Sequence, residues 1–324
     1  MLSEAKSAFG GEGGSRINPN VIVIVGPTCS GKSLLGITLA GLLNTEIISA
    51  DSRQFYKKLN IGTAKPSEKE LEKVKHHFID ILNPDDEFNV SKYSEEAEKV
   101  INDLLSRNKI PLVVGGSGLY IKSLIDGIME IADKDDEYRI KLSAIKSKEG
   151  INKLYEMLQM VDPESAAKML PQNWKRVMRA LEVYHTTGEP IWKHHQMQSI
   201  SKEKKYNFKQ FGLNWDRNIL YENIDNRVDE MIAQGFVEEV KNILSIGYDK
   251  NLNSLNTVGY KEIIQYFGGE VSLNRAIELI KRNTRHYAKR QLTWFRKDIR
   301  IQWFDINDLS ELDQIAKKII DSLN

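Results

Sequence analysis

Val21-Ile22-Val23-Ile24-Val25-Gly26-Pro27-Thr28-Cys29-Ser30-Gly31-Lys32-Ser33 is the stretch that decides the fold. Five apolar, mostly β-branched residues in a row suit a strand buried on both faces of a parallel sheet, where no polar alternation is needed. The next eight residues match G-x-x-x-x-G-K-[ST], placed between a strand and the start of a helix. Glycines there let successive backbone N–H groups turn inward around an anion, and the helix N-terminus adds partial positive charge. On this reading Gly26, Pro27, Thr28, Cys29, Ser30, Gly31, Lys32 and Ser33 cradle a di- or triphosphate such as ATP. Lys32 reaches its terminal phosphate, and the Ser33 hydroxyl ligates Mg²⁺. A Gly-rich turn without function is the alternative, and the flanking strand and helix count against it.

Outward from this loop, residues 46–50, 78–82 and 111–114 read as further strands, with helical patterns between them such as 91–107. After about residue 133 the strands stop. Residues 134–195 are amphipathic and helical, broken at Asp162-Pro163 and Leu170-Pro171. Strand patterns return at 208–213 and 301–304, with helical ones at 217–234, 258–267 and 272–298. The expected architecture is a P-loop NTPase-like α/β core with a parallel sheet, over 21–133 and 207–324, interrupted by an all-helical insertion over 134–206. Ligands then belong at the carboxyl ends of the strands. Residues 1–20 are rich in Gly and Ser, without periodicity or a long apolar core. They read as a disordered extension, which leaves a cytoplasmic location as the default.

The chain has 324 residues, 46 basic against 45 acidic, 41% hydrophobic and 28% charged, an ordinary globular balance. Its one cysteine, Cys29, excludes an internal disulfide framework and a multi-cysteine zinc module. No apolar run approaches the ~20 residues of a membrane span. A net charge of +1 argues against nucleic acid until its distribution is considered. Residues 271–304 hold nine basic and two acidic residues, a surplus of seven that leaves the rest of the chain six negative. Tyr287, Trp294 and Phe295 interleave with these cations, so contact with RNA phosphates competes with a merely solvated face.

A nucleotide hydrolase places an Asp at the end of an apolar strand to complete its metal site. Here residues 111–114 run into Gly115-Gly116-Ser117-Gly118, and Asp80 lies inside its apolar run. The cradle therefore suits a leaving diphosphate as well as a hydrolysed one. Asp51 ends the second strand, where it can face an acceptor in the crevice or cap a following helix.

Eight segments in order resemble the tRNA dimethylallyltransferase family: GPTCSGKS (26–33), ISADSRQFY (48–56), NIGTAKP (60–66), HHFIDI (76–81), VVGGSGLY (113–120), KRVMRALEVY (175–184), TVGYKE (257–262) and YAKRQLTWFR (287–296). Such enzymes attach an isoprenoid to the exocyclic amine of an adenine beside the anticodon. The resemblance implies that residues 26–33 hold the diphosphate of dimethylallyl diphosphate, with Mg²⁺ on Ser33. It makes Asp51 the general base, with Ser117 and Arg217 also catalytic and Arg217 meeting the leaving diphosphate. Ser117 stands where a threonine is common, and the hydroxyl survives. The anticodon stem-loop of tRNA would meet Asp51, Ser52, Arg53, Gln54 and Ser117. It would also meet Arg139, the run Lys175, Arg176, Val177, Met178 and Arg179, and the segment Val258, Gly259 and Tyr260. From the basic helix Lys281, Arg282, Arg285, Lys289 and Arg290 would join them. The chain lacks the cysteine/histidine finger common at the end of eukaryotic members, which implies the bacterial type. A monomer without membrane contact is expected. Two other readings stay open: an isopentenyltransferase acting on free adenylate, and an RNA-binding P-loop kinase or ATPase.

Overall fold

The computed structural model describes residues 18–127, 135–198 and 205–323. Most of the expected extension, and the expected boundary at residue 134, lie outside them. Six strands form one sheet: β1 (Asn20–Val25), β2 (Ile47–Ser49), β3 (His76–His77), β4 (Leu112–Gly115), β5 (Asn207–Trp215) and β6 (Ile301–Ile306). The spatial order is β3-β2-β4-β1-β5-β6, and every pairing is parallel. β1 lies between β4 and β5, so the chain leaves it toward one edge and later returns past it to the other. That reversal opens a crevice at the carboxyl end of β1, where the Gly-rich loop sits.

Every residue from Val21 to Val25 is fully buried. Ile22 and Ile24 share a core with Leu35 and Leu39 of the helix Lys32–Leu43 and with Ile315 and Ile319 of the helix Leu312–Asp321. Strand alternation turns Val21, Val23 and Val25 to the other face. The continuous apolar run is thus the mark of a strand covered on both sides.

The third strand differs from the sequence expectation. It is His76–His77, and the apolar run 78–82 is irregular. Phe78 (φ 64°) and Asp80 (φ 55°) are in the left-handed region, which a strand cannot accommodate. Asp80 instead forms an ion pair with Lys65.

The chain divides into two compact units. One comprises Met1–Asn89, Glu95–Ile121 and Lys204–Asn324, and carries the sheet. The other comprises Val90–Ser94 and Lys122–Glu203, where the sequence suggested an insertion over 134–206. Within the second unit the described residues between Asp135 and Gln198 are helices and their connections, built on Leu142, Leu154, Leu158, Val177 and Leu181. Pro163 opens a short helix whose N-cap, Asp162, accepts from Ser165 N–H at 2.9 Å.

At the opposite end of the sheet from the loop, Glu46 precedes β2 with its side chain 9% exposed. Its carboxylate meets Arg107 at 2.6 Å, His77 at 2.7 Å and Lys75 at 3.2 Å. The Arg107 guanidinium, with help from His77 and Lys75, holds Glu46 well below the usual carboxylate range, against the opposing effect of burial. Glu46→Gln should cost about 2–3 kcal/mol in urea unfolding at pH 7, since it strands cations that can still reach water. A carboxyl with a lowered folded pKa contributes fully above its unfolded value and loses that contribution as pH falls. The gap between the two proteins should therefore narrow below about pH 4.3. A gap that stays constant down to pH 3 would remove the ion cluster as its cause.

Candidate active site

The loop after β1 is shaped by Cys29 (φ 62°) and Gly31 (φ 83°), both left-handed. A Cβ on Gly31 would lie 2.7 Å from Leu309 Cδ2, so position and conformation both favour glycine. No side chain caps the helix Lys32–Leu43, which leaves its first N–H groups for an anion. Three contacts hold the loop from behind. Trp215 Nε1 donates to the Ser30 carbonyl at 3.0 Å. Gln291 accepts from Thr28 N–H at 2.9 Å and donates through Nε2 to the Gly116 carbonyl at 2.9 Å. The Lys32 ammonium folds back onto the Pro27 carbonyl at 3.1 Å. Burial lowers its pKa, Asp51 and Cys29 oppose that, and Arg227 adds a smaller lowering.

A cavity of about 420 Å³ opens beside the loop. Thr28 and Cys29, the turn Asp51 to Arg53, the loop Gly62 to Ala64 and the segment Asn256 to Gly259 line it. The helix Arg217–Ala233 contributes Ile224, Arg227, Val228 and Met231, and the helix Leu273–Phe295 contributes Ile280, Thr284, Tyr287 and Arg290. Both sets keep the three-to-four-residue spacing of one helix face. Arg285 pairs with Asp225 at 2.7 Å and Lys281 with Asp229 at 2.7 Å, which sets the two helices antiparallel.

Asp51 lines this cavity, and its Oδ1 accepts from Arg53 N–H at 3.0 Å. The capping role is real but serves a turn, since residues 52–55 form no helix. Tyr287 lines the same cavity, and its pKa is raised above the ordinary phenol range, first by burial and then by the Asp51 charge. Ser117 does not line the cavity. Its Oγ accepts from Ser52 N–H at 3.0 Å while its own N–H donates to Ala50 O at 3.1 Å, stapling the loops after β2 and β4.

Arg217 does not line the cavity either; it is exposed with its guanidinium 5.2 Å from the Tyr221 ring. Arg53, Arg227 and Arg290 do, and of these Arg227 lies on the same helix as Arg217. Gln54 is buried and donates to the Thr63 and Ala64 carbonyls at 3.2 and 3.1 Å. It therefore shapes the loop 60–66 rather than facing solvent. Glu239 holds the same loop, accepting from the N–H groups of Asn60, Ile61 and Gly62 at 3.0, 2.8 and 3.2 Å. Tyr260 is 0% exposed, and its hydroxyl donates to Glu239 at 2.6 Å, whereas Val258 and Gly259 line the cavity.

In the helical unit Val177 is buried in the core and Met178 packs against it, while Lys175 and Arg176 are exposed. Arg139 and Arg179 both bind the fully buried Glu182 carboxylate, at 2.6 and 2.7 Å. On the basic helix, Lys281 and Arg285 are held by Asp229 and Asp225. Arg282, Lys289 and Arg290 remain exposed, and among the described residues Lys289 forms no ion pair. Arg282, Lys289 and Arg296 recur every seven residues, an exposed stripe along one side.

Sequence reasoning missed Arg227, Tyr287 and Gln291 as residues of this site. The last two stood in the quoted YAKRQLTWFR segment, but nothing in it separates cavity-facing positions from phosphate-facing ones. Among the described residues no group of three His, Cys, Asp or Glu side chains could hold a metal, and no helix is long and apolar enough to cross a membrane.

The IPP transferase family model matches residues 54–298. A tRNA dimethylallyltransferase of Thermoanaerobacter sp. (strain X514) is 46% identical over 303 residues, covering 93% of this chain and 96% of the relative. One from Oceanobacillus iheyensis is 44% identical over 304 residues, covering 94% and 96%. The crystal structure of a tRNA isopentenylpyrophosphate transferase from Bacillus halodurans aligns with a TM-score of 0.69 at 37% identity, over 95% of this chain and 97% of that one. A eukaryotic dimethylallyltransferase acting on tRNA aligns with a TM-score of 0.78 at 31% identity, over 93% and 77%.

Proposed function

From the premise that the chain belongs to the IPP transferase family, we propose that it moves a dimethylallyl group from dimethylallyl diphosphate to the N6 amine of an adenine beside a tRNA anticodon. The observation that carries this reading is the placement of Asp51 in the same 420 Å³ cavity as the phosphate loop. A diphosphate in the loop puts its allylic carbon where an amine beside Asp51 can attack it. The N6–C1 bond forms, the C1–O bond breaks with its electron pair leaving on the diphosphate, and the N6 proton passes to Asp51. Arg227, which lines the cavity, and Lys32 with the uncapped helix N–H groups of the loop would stabilise the charge that develops on the leaving group. Tyr287, kept neutral, supplies a hydroxyl beside Asp51 without adding charge.

Mg²⁺ fits this donor set, because the ion is commonly held by one protein oxygen together with substrate phosphates and water. Ser33, exposed in the first turn of the helix, would hold it, and the ion would supply further neutralisation of the diphosphate. The target adenine must leave its stack to reach the cavity, and a loop nucleotide is the least costly to extrude. A monomer in the cytoplasm completes the proposal. Mass analysis of tRNA nucleosides after incubation with the protein and dimethylallyl diphosphate tests it. N6-isopentenyladenosine is expected; its absence, with prenylated AMP formed instead, would assign the enzyme to free adenylate. Phosphate release from ATP without prenyl transfer would point to the kinase or ATPase reading.

The paired cations sharpen the expected footprint on RNA. Removing Arg282 and Lys289 together should weaken tRNA binding and lower the slope of log K against log salt by about two, roughly one per lost phosphate contact. Removing Arg285 should change the slope less, because Asp225 already neutralises it. Equal slopes for all three proteins would make the stripe a solvated face.

A further inference from the structure

The cavity has two chemically different ends. Gln291 ties the phosphate loop to one end of the helix Leu273–Phe295, and Asp51 and Tyr287 line the same cavity. Ile280 lies seven residues away along the same helix, about 10 Å at 1.5 Å per residue. The antiparallel pairing places Val228 and Met231 opposite it, and Phe236 follows that helix. None of these four side chains can donate or accept a strong hydrogen bond.

The backbone at this end is committed as well. Gly62 N–H donates to Glu239 and Gly259 N–H to Glu262, at 3.2 and 2.7 Å. The Phe236 ring fills the space beside both glycines. A Cβ on Gly62 would stand 2.2 Å from its Cε2, and one on Gly259 would stand 3.0 Å from its Cζ. Tyr260 packs edge-on behind the ring, with centroids 5.1 Å apart. The ring is closely packed on that side. Val228, Phe236 and Ile280 are buried, whereas Met231 stays partly exposed on an unbranched side chain.

An adenine set against these four side chains would leave the ring edge that faces them without partners, the polar lining being Asn256, Thr257, Lys261 and Thr284, whereas a hydrocarbon needs none. We propose that this apolar end receives the isoprenoid tail, and that Met231, which lines it together with the closely packed Phe236, limits the tail to a single isoprene unit. The inference rests on the reading of the chain as a prenyltransferase, and makes Met231 a specificity-determining residue. A volume of about 420 Å³ is near the lower end for ligand pockets, and a tail of one isoprene unit suits it better than a longer one.

The test compares dimethylallyl and geranyl diphosphate as donors to tRNA, with product masses read for the wild type, Met231→Ala and Met231→Leu. The wild type should transfer the ten-carbon group at least about tenfold more slowly than the five-carbon one. Met231→Ala should raise the ten-to-five ratio about tenfold or more, and Met231→Leu should leave it near the wild-type value. An unmoved ratio in Met231→Ala overturns the proposal. So does a raised KM for tRNA with an unmoved donor ratio, which would put the base at the apolar end. Binding of the unreactive geranyl and dimethylallyl thiolodiphosphates reads the same ratio without turnover, so the proposal stays testable in a variant that cannot transfer. If the wild type transfers nothing to tRNA, the prenyltransferase reading fails, while the binding ratio still judges the role of Met231.

Discussion

Asp51→Asn should lower prenyl transfer about 10²–10⁴-fold, the range expected when a positioned general base is lost. The amide is the informative replacement because the proposed base also holds a turn. Its Oδ1 accepts from Arg53 N–H at 3.0 Å and so fixes the turn that follows β2. An asparagine oxygen can keep that bond, so the turn and the neighbouring Ser52–Ser117 contact survive, while the group that takes the N6 proton is gone. Affinity for tRNA, measured by filter binding or fluorescence, should stay within about twofold of the wild type, because one uncharged-for-charged change in the cavity removes no phosphate contact. Asp51→Ala would lose both tasks, and its comparison with Asp51→Asn separates the base from the cap. Transfer by Asp51→Asn within tenfold of the wild type would exclude Asp51 as the base and leave it a capping residue.

The parts of this site legible in the sequence are those specified locally. A strand, a Gly-rich turn and a helix start must be contiguous to cradle phosphate, so residues 21–33 carry the fold and the loop together. Asp51 could be found because a strand end points into the crevice whatever lies elsewhere. The rest depends on contacts distant in sequence. Gln54, in an apparently surface-facing segment, is buried because the carbonyls of Thr63 and Ala64 need donors. The basic segment looked uniformly exposed, but Asp225 and Asp229 on a helix some fifty residues earlier neutralise Arg285 and Lys281. The run 78–82 has the composition of a strand, yet Lys65 draws Asp80 aside and two left-handed residues end the pairing at His77. In each case a side-chain contact overrode a local pattern, across 9 to 15 residues for Gln54 and Lys65 and across 52 and 60 for Lys281 and Arg285.

The same limit separates Arg227 from Arg217, and the two make a paired experiment. Arg227 sits between Ile224 and Val228 on what reads as an apolar core stripe, so its register looks structural until the cavity is seen on that face. Burial lowers the Lys32 pKa, and the Arg227 charge adds a smaller push in the same direction. Arg227→Ala should therefore lower kcat by about 10²–10³, the loss typical of one donor aimed at developing transition-state charge. The donor KM should rise less than kcat falls, because the charge on the diphosphate is greatest as the C1–O bond opens. Arg217 is exposed and rests on Tyr221 at 5.2 Å, a contact worth about 0.5–1 kcal/mol. Even if that energy were lost entirely from the transition state, Arg217→Ala would slow transfer by no more than about fivefold. The reverse ranking would mean that the helix start at Asp216 moves on substrate binding and carries Arg217 to the diphosphate. A fall in both variants by comparable factors would require the two arginines to grip opposite ends of the leaving group.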